Sequence, residues 1–537
     1  MRYLLIYLFI YLSSFSYSQE MTLDWSECFG SIGTNHPEGV AILPNGNTVM
    51  NIDVRGENAA FTNFHGDKDC WVIVLNNNGS LVNDRCFGGS DYDTFVDIEV
   101  GEDFIYFAGY TNSTDGDALS EPIGNPLDDL WIVKTDFDLN IIWEKKYGPL
   151  GPCWLASSDL TADDGLVVIT DFFGQGGGNV SEYYGGTDIW AFEIDSNGNI
   201  LWEKTLGNQF ENTAGNILST DHGTTMILGE TSHSGAMVDC DCHSTDGITR
   251  DIWLVELNNQ GDIIWQDCYG GSNWELGKDI KQEDNGYTMF IITESNDYDV
   301  SGNHSFDRSD YWLAHIDASG VLEWQNCYGG SEDEIADQFY KTANNGYVLI
   351  GSSLSDDGDV SYHHGNFGLD IWVVVLDSNR NILWEHSYGG MNHNYPSRNS
   401  IAQRGEMDFV IGALTHEDEG NDSDIDCTPY PVEDEESIWV FRIYDPDVGT
   451  NNLIGNYATL SIYPNPTQDY VVFELPPNTN KSELYITDVY GAIIAKINIP
   501  VQQAQLQWDC KDISSGIYFY QTEIEGRYYK GKIIIQK

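Results

Sequence analysis

Basic residues are scarce in this chain: 24 Lys and Arg stand against 85 Asp and Glu, a formal net charge of −61 over 537 residues. A field of that sign repels phosphate backbones, which excludes nucleic acid as a partner and leaves cations and basic surfaces. Long apolar runs are also missing. Beyond the first dozen residues no stretch is long and apolar enough to cross a bilayer, so the mature chain reads as soluble or tethered to a surface, not as an integral membrane protein. Segments of useful length with helical character are absent too. What remains is 41% apolar residues, with 54 Gly and 31 Tyr, a composition suited to strands and tight turns.

The N-terminus sets the compartment. Met1-Arg2-Tyr3 is a short basic start, Leu4 to Leu12 an apolar run, and Ser16-Tyr17-Ser18 supplies small residues at cleavage spacing. The pattern predicts a signal peptide over residues 1–18, cut near Ser18 and Gln19.

The main chain is a repeat. An acid-x-Trp step opening an apolar run recurs at Trp71, Trp131, Trp190, Trp253, Trp312 and Trp372, then weakened at Trp439, with spacings of 60, 59, 63, 59, 60 and 67. A second signature, a Trp five positions before a Gly, follows at Trp143, Trp202, Trp265, Trp324 and Trp384; Val82 takes its place in the copy ending at Gly88. Turns such as Asp195-Ser196-Asn197-Gly198 join the two signatures, and a second Asn/Gly turn precedes them, so each unit is four short strands. Four-stranded units of this length repeated radially predict a β-propeller of seven blades over residues 19–450. One copy of the fourth strand, Trp25 to Phe29, precedes the first unit, and the seventh unit lacks its own. The N-terminal strand is therefore expected to complete the last blade and close the ring, leaving no free sheet edge.

These units resemble the β-propeller repeats of Bacteroidota, which read D-x-W, an apolar run, D-x-x-G-x-I-x-W and Y-G-G; Asp370-Ile371-Trp372 through Trp384 to Gly390 is the best copy. The step around Asp377 also resembles the tryptophan-docking repeat of quinoprotein propellers and, with different internal spacing, the sialidase Asp-box. The resemblance implies fold, not activity.

Ten cysteines in an exported chain make disulfides available. Cys28, Cys86, Cys268 and Cys327 share one fourth-strand position and read mostly as small buried residues, too far apart to bridge one another. Cys70 lies almost opposite Cys86 across a turn, which brings a cross-strand disulfide into reach. Asp239-Cys240-Asp241-Cys242-His243 lacks zinc spacing and points to an extracellular disulfide.

After a linker at 451–457 the repeat stops. From Ala458 eight acidic residues face seven basic ones, so nearly all of the negative charge lies earlier. Tyr463-Pro464-Asn465-Pro466, Tyr490-Gly491, Ser514-Ser515-Gly516 with Tyr518, and a basic last strand alternate like a small antiparallel β-sandwich over 458–537. This segment resembles the type A C-terminal sorting domain of the type IX secretion system. The resemblance implies that the type IX machinery is a partner, that the chain reaches the outside or the outer cell surface, and that the domain is usually removed.

No G-x-S-x-G nucleophile elbow and no H-E-x-x-H helix is present. The repeat supplies no converging arginines for sialidase chemistry. Among so many acids no glycosidase pair, about 5 to 9 Å apart, stands out. The loops after the second strand carry Asp115 and Asp117, Asn296, Asp297 and Asp299, and Asp356, Asp357 and Asp359. Closely spaced Asp with Gly suits Ca²⁺, although the EF-hand pattern is only partly met; a solvated turn is the other reading. Tyr183, Tyr184, Trp274 and Tyr362 in the neighbouring loops offer rings for sugars to stack on. Three functions are compatible with these features: a surface protein binding a protein, glycan or cation on its acidic loop face; an extracellular polysaccharide hydrolase or lyase; or a structural, adhesive protein.

Overall fold

The computed structural model describes residues 21–446 and 460–537, apart from 31–35, 56–62, 124–128, 175, 244–248, 366–367, 417–422, 428–436, 461, 465–466, 477–481, 488–492, 512, 515 and 525–526. The signal peptide and its cut, the linker, Asn465, Pro466 and Gly491 lie outside the described residues.

The described residues form strands and turns, and they fall into two compact units that divide between Tyr444 and Asp445, apart from Gly405–Met407. In the first unit the chain makes four-stranded antiparallel sheets in a propeller-like arrangement. Sheet 1 holds β2 (His36–Ile42), β3 (Thr48–Arg55), β4 (Lys68–Leu75) and β5 (Leu81–Phe87), each paired to the next. Sheet 2 spans Asp93–Val100 to Ile141–Tyr147, sheet 3 Cys153–Leu160 to Ile200–Leu206, and sheet 4 Asn212–Ser219 to Ile263–Tyr269. Sheet 5 spans Glu275–Glu283 to Leu322–Tyr328, and sheet 6 Glu334–Lys341 to Ile382–Tyr388. Sheet 7 takes Asn394–Gly405, Asp408–Thr415 and Ser437–Tyr444, and its fourth strand is the N-terminal β1 (Thr22–Phe29), with Cys28 opposite Trp439. First strands of successive sheets from 1 to 6 lie against one another, and β2 of sheet 1 also packs on Asp408–Thr415 of sheet 7.

Burial explains the strand sequences. Third strands such as Asp370–Leu376 are buried at every residue because neighbouring sheets cover both faces, so they read as unbroken apolar runs. Fourth strands such as Ile382–Tyr388 sit at the rim and are only partly covered.

The repeated residues have separate tasks. Each third-strand Trp is buried, and its indole N–H reaches an acceptor thirteen residues on: Trp71 to Asp84 (3.0 Å), Trp131 to Glu144 (3.1 Å), Trp253 to Gln266 (2.8 Å) and Trp372 to Glu385 (2.9 Å). Trp439 is the exception. Its register partner is Cys28, so Ser26 stands where the acceptor belongs, and the buried indole N–H has no partner among the described residues. We expect Ser26→Gln to supply the missing acceptor and raise stability by about 1 kcal/mol, read as a higher urea midpoint. Gln is preferred to Glu because Asp426 adjoins Ser26. An unchanged or lower midpoint would remove this explanation.

The fourth-strand Trp works between sheets. The turn glycine of the next sheet lies on its ring: a methyl group at Gly198 would come within 2.9 Å of Trp143, at Gly261 within 2.7 Å of Trp202, and at Gly79 within 2.6 Å of Trp25. All three glycines have positive φ, so only Gly fits both the backbone and the contact. A Tyr that ends a fourth strand reaches the carbonyl of the same turn residue, as Tyr147 does to Gly198 (2.8 Å) and Tyr328 to Arg380 (2.9 Å). Tyr388 donates to Met21 O (3.1 Å), just before β1, the place a turn residue would hold. The register also corrects the assignment of Val82: Val74 pairs with Asn83 as Lys134 pairs with Trp143, so Asn83 holds the Trp position.

The second unit has a three-stranded sheet of Ile462–Tyr463, Tyr470–Glu474 and Gln505–Asp509. A four-stranded sheet of Ile493–Ile499, Ser482–Thr487, Gly516–Ile524 and Arg527–Ile535 accompanies it. Its core holds Val471, Phe473, Leu484, Trp508, Tyr520 and Ile533. Tyr463 is half-exposed and receives a hydrogen bond from Gln505 (3.0 Å), while Tyr518 is buried and donates to Ser514 O (3.0 Å). Pro464 follows Tyr463 directly, and Gly516 opens its strand.

Candidate functional site

In these meandering sheets the connections entering the first strand and leaving the second emerge at one end. The acidic loops lie there, and their carboxylates are engaged within the protein. Asp115, Asp297 and Asp357 each accept the backbone N–H of the serine after Gly-Gly: Ser90 (2.7 Å), Ser272 (2.8 Å) and Ser331 (2.8 Å). Asp117 pairs with Arg85 (2.7 Å). Asp299 and Asp359 accept from Gly270 (3.2 Å) and Gly329 (3.3 Å). Asn296 braces its own loop, donating to Asn303 O (3.1 Å) and accepting from Gly302 (3.0 Å), and Asp356 is exposed. Each loop thus ties a sheet to the outer strand of the preceding sheet. Among the described residues, no three of these carboxylates bring oxygens within 4.8 Å of one another.

The Asp of each Asp-x-Trp step closes the other end of the loop. It accepts the backbone N–H of His65 (2.6 Å), Tyr184 (2.7 Å), His304 (3.0 Å) and His364 (2.6 Å). His304 and His364 then reach the next sheet, Nε2 lying 3.6 Å from Asp359 and 3.4 Å from Asp424. Spacing alone had not singled out these histidines, although their recurrence shortly before the Asp was visible.

One fourth-strand position locks the loop by different chemistries. Lys146 donates to three loop carbonyls, including Ser113 (2.8 Å) and Ser120 (2.9 Å); Thr205 donates to Glu182 O (3.0 Å). Cys268 is bonded to Cys240, and Cys28 to Cys427. These bridges correct the reading of Cys28 and Cys268 as merely small buried residues: the partner lies in the loop of the same sheet, not on another blade. Cys327 is free and faces Gly302 where a second cysteine would stand. The Cys70–Cys86 pairing is corrected as well. Cys70 lies opposite Phe87, and Cys86 opposite Trp71, so a one-residue offset turns the two side chains to opposite faces and both thiols are free.

Exposed aromatics gather at the same end. Trp154 (42%), Phe173 (40%), Tyr298 (66%) and Phe306 (84%) are all open to solvent, and Trp154 stacks on Phe173 with ring centroids 5.1 Å apart. Tyr183 and Tyr362 are exposed there too, while Trp274 lies under the Arg250 guanidinium. At the opposite turns the exposed large residues are aliphatic: Ile142, Leu201, Ile264, Val321 and Leu383.

The first strands enclose a second feature. A cavity of about 230 Å³ is lined by first strands of all seven sheets, with Asp97, Glu99, Asp159, Asp279 and Lys281 among its walls. A bulge interrupts each of the six first-strand pairings whose register is described, and at this bulge stand Glu38, Lys278 and Asp337. The acids staple adjacent sheets: Asp97 accepts Ser158 N–H (2.7 Å) and Asp159 Ser219 N–H (2.7 Å), and from the second strand of sheet 4 Glu230 accepts Gly277 N–H (2.9 Å). Aligning the first strands on their bulges is the signal for Glu38, Lys278 and Asp337 at the bulge and for Asp97 and Asp279 directly after it.

Burial raises these carboxyls, to about 6 for Asp97, about 7 for Asp159, Asp171 and Asp337, and about 8 for Glu38, the last also through Asp53. A carboxyl raised in the folded state holds a proton that the unfolded chain has released, so its contribution to stability falls as pH rises from about 4 to about 8. Melting temperature is expected to decline from about pH 5 to pH 8, and Glu38→Gln to flatten the upper part of that slope. A flat or rising profile would contradict this.

No helix among the described residues is long and apolar enough to cross a membrane. No curated protein matches the chain. Similar solved structures include a protein of unknown function from Bacteroides caccae, at 11% identity and TM-score 0.34 over 59% of this chain and 89% of that one. Hydrazine synthase of Kuenenia stuttgartiensis is similar at 10% identity and TM-score 0.38 (71% and 94%). Trypanosoma rangeli sialidase is similar at 9% and 0.35 (94% and 87%). At these scores the likenesses carry no argument about activity. Residues 461–536 match the secretion system C-terminal sorting domain, which supports a type IX sorting C-terminus and with it delivery to the cell surface or beyond.

Proposed function

We propose that this chain is an exported, surface-displayed binding protein whose loop face recognises a glycan. Its signal peptide (1–18) is removed, the type IX machinery takes up residues 458–537, and residues 19–450 form a seven-bladed propeller closed through β1. The observation that carries the reading is the segregation of exposed aromatics to the loop face, centred on the Trp154–Phe173 stack. Flat apolar rings beside carboxylates suit sugars, whose faces are apolar and whose hydroxyls donate. The Asp-Gly-Asp loops then serve as clamps that hold this face in shape.

The test is affinity electrophoresis of the full-length protein in gels containing neutral or acidic polysaccharides. At least one polymer is expected to retard the protein. The double substitution Trp154→Ala and Phe173→Ala is expected to weaken retardation about tenfold or more, equivalent to about 1.4 kcal/mol, with little change in melting temperature because both rings are exposed. Retardation by none of the polymers, or equal retardation of the variant, would overturn the reading.

A further inference from the structure

The Cys240–Cys268 bond has a third sulfur beside it. The Cys242 thiol lies 3.5 Å from Cys268 Sγ and is placed to donate to it. All three sulfurs lie within 4.8 Å of one another, and Cys240 and Cys242 are partly exposed. The corresponding Cys28–Cys427 bond is followed by Thr428 and Pro429, with no second cysteine two residues on.

We propose that Cys240, Cys242 and Cys268 form a thiol–disulfide exchange site in which the bond to Cys268 passes between Cys240 and Cys242. The Cys242 thiolate attacks Cys268 Sγ, and the Cys242–Cys268 bond forms. The Cys240–Cys268 bond breaks, and its electron pair leaves on Cys240 Sγ, which takes up through water the proton that Cys242 released. One thiol and one disulfide become one disulfide and one thiol in new positions, so no oxidant or reductant is consumed.

The exchange has a mechanical consequence. Cys242 adjoins His243, whose backbone N–H binds Asp251 and whose ring lies 4.4 Å from that of Tyr298 in sheet 5. Moving the tie from Cys240 to Cys242 therefore loads the contact between sheets 4 and 5. Burial, with Asp251 and Asp241 nearby, pushes the Cys242 thiol up to about 12. The reactive thiolate thus grows about tenfold per pH unit through the neutral range, and the exchange rate with it.

The experiment uses full-length protein purified without reductant and held at pH 6 to 9. Samples are quenched in acid denaturant, alkylated with N-ethylmaleimide and mapped by tandem mass spectrometry. The expected result is complementary labelling of Cys240 and Cys242, approached about tenfold faster per pH unit, while Cys28 and Cys427 keep a single pairing. The Cys240→Ser variant is expected to form a Cys242–Cys268 bond. Labelling of Cys242 alone after prolonged incubation at pH 9 would overturn the proposal, whether or not the variant folds. So would a folded Cys240→Ser protein that keeps Cys242 and Cys268 reduced under air.

Discussion

Replacing Cys28 with Ser is expected to lower the unfolding free energy by about 4 to 5 kcal/mol, more than Cys268→Ser, which is expected to cost about 3 kcal/mol. The two bonds lock the same position in two sheets but span very different lengths: Cys28 and Cys427 are 399 residues apart, Cys240 and Cys268 only 28. Loop-closure entropy gives about 6 kcal/mol for the longer loop and about 3.5 for the shorter, and protein cross-links commonly deliver somewhat less. Cys268 is the right comparison because its loss removes both pairings of the sulfur trio. Equilibrium urea unfolding of the two variants against the parent decides the matter. A Cys28→Ser cost no greater than that of Cys268→Ser would mean that loop length does not set the difference between the two bonds.

The second large effect is a coupling. Leu139 occupies the turn position held elsewhere by Gly198 or Gly261, with φ of 65° and 1% exposure, in a core with Cys70, Val72 and Val133. The strand facing it carries Asn83 instead of Trp, and Asn83 donates to Asp138 O (3.4 Å) beside that turn. A large turn residue thus answers a small strand residue. Leu139→Gly alone is expected to cost about 2 to 3 kcal/mol: a buried leucine is lost, partly offset by relief of the left-handed backbone. Asn83→Trp alone drives an indole into Leu139 and is expected to cost about 1 to 3 kcal/mol. Together they recreate the Trp-on-Gly contact of the other sheets, so the double variant should lie within about 1 kcal/mol of the parent. Simple addition of the two costs in a double-mutant cycle would show that the pairing is coincidental.

The repeat was legible because Trp, Gly and Tyr recur at fixed spacing, and so was the strand at each chain end that the other completes. What those residues touch was not legible. Gly198 is conspicuous in its own turn, yet its contact is Trp143 of the preceding sheet, and spacing within a unit cannot show that. Register errors of one residue misplaced the missing Trp at Val82 and brought Cys70 opposite Cys86, since a strand's side chains change face at every step. The fourth-strand cysteines share one position in the repeat, whereas their partners Cys240 and Cys427 lie in loops whose path only the fold defines. The sequence also showed the acids of the loops but not their employment as acceptors for Ser90, Ser272 and Ser331. The axial carboxylates were hidden because one bulge per first strand changes which residues face inward.

The shared sheet 7 dictates an order of events during folding. Thr22 pairs with Tyr444, so the first described strand waits for the last strand of the unit. Sheets 1 to 6 are each built from neighbouring strands and can form as local meanders, whereas joining β1 to Ser437–Tyr444 is the most non-local step and is expected to come late. Until then both partners present unpaired edges, the state in which strands of separate molecules associate most readily. A chain kept extended until its C-terminal segment has emerged avoids that interval, whereas one that collapses early must hold β1 in reserve.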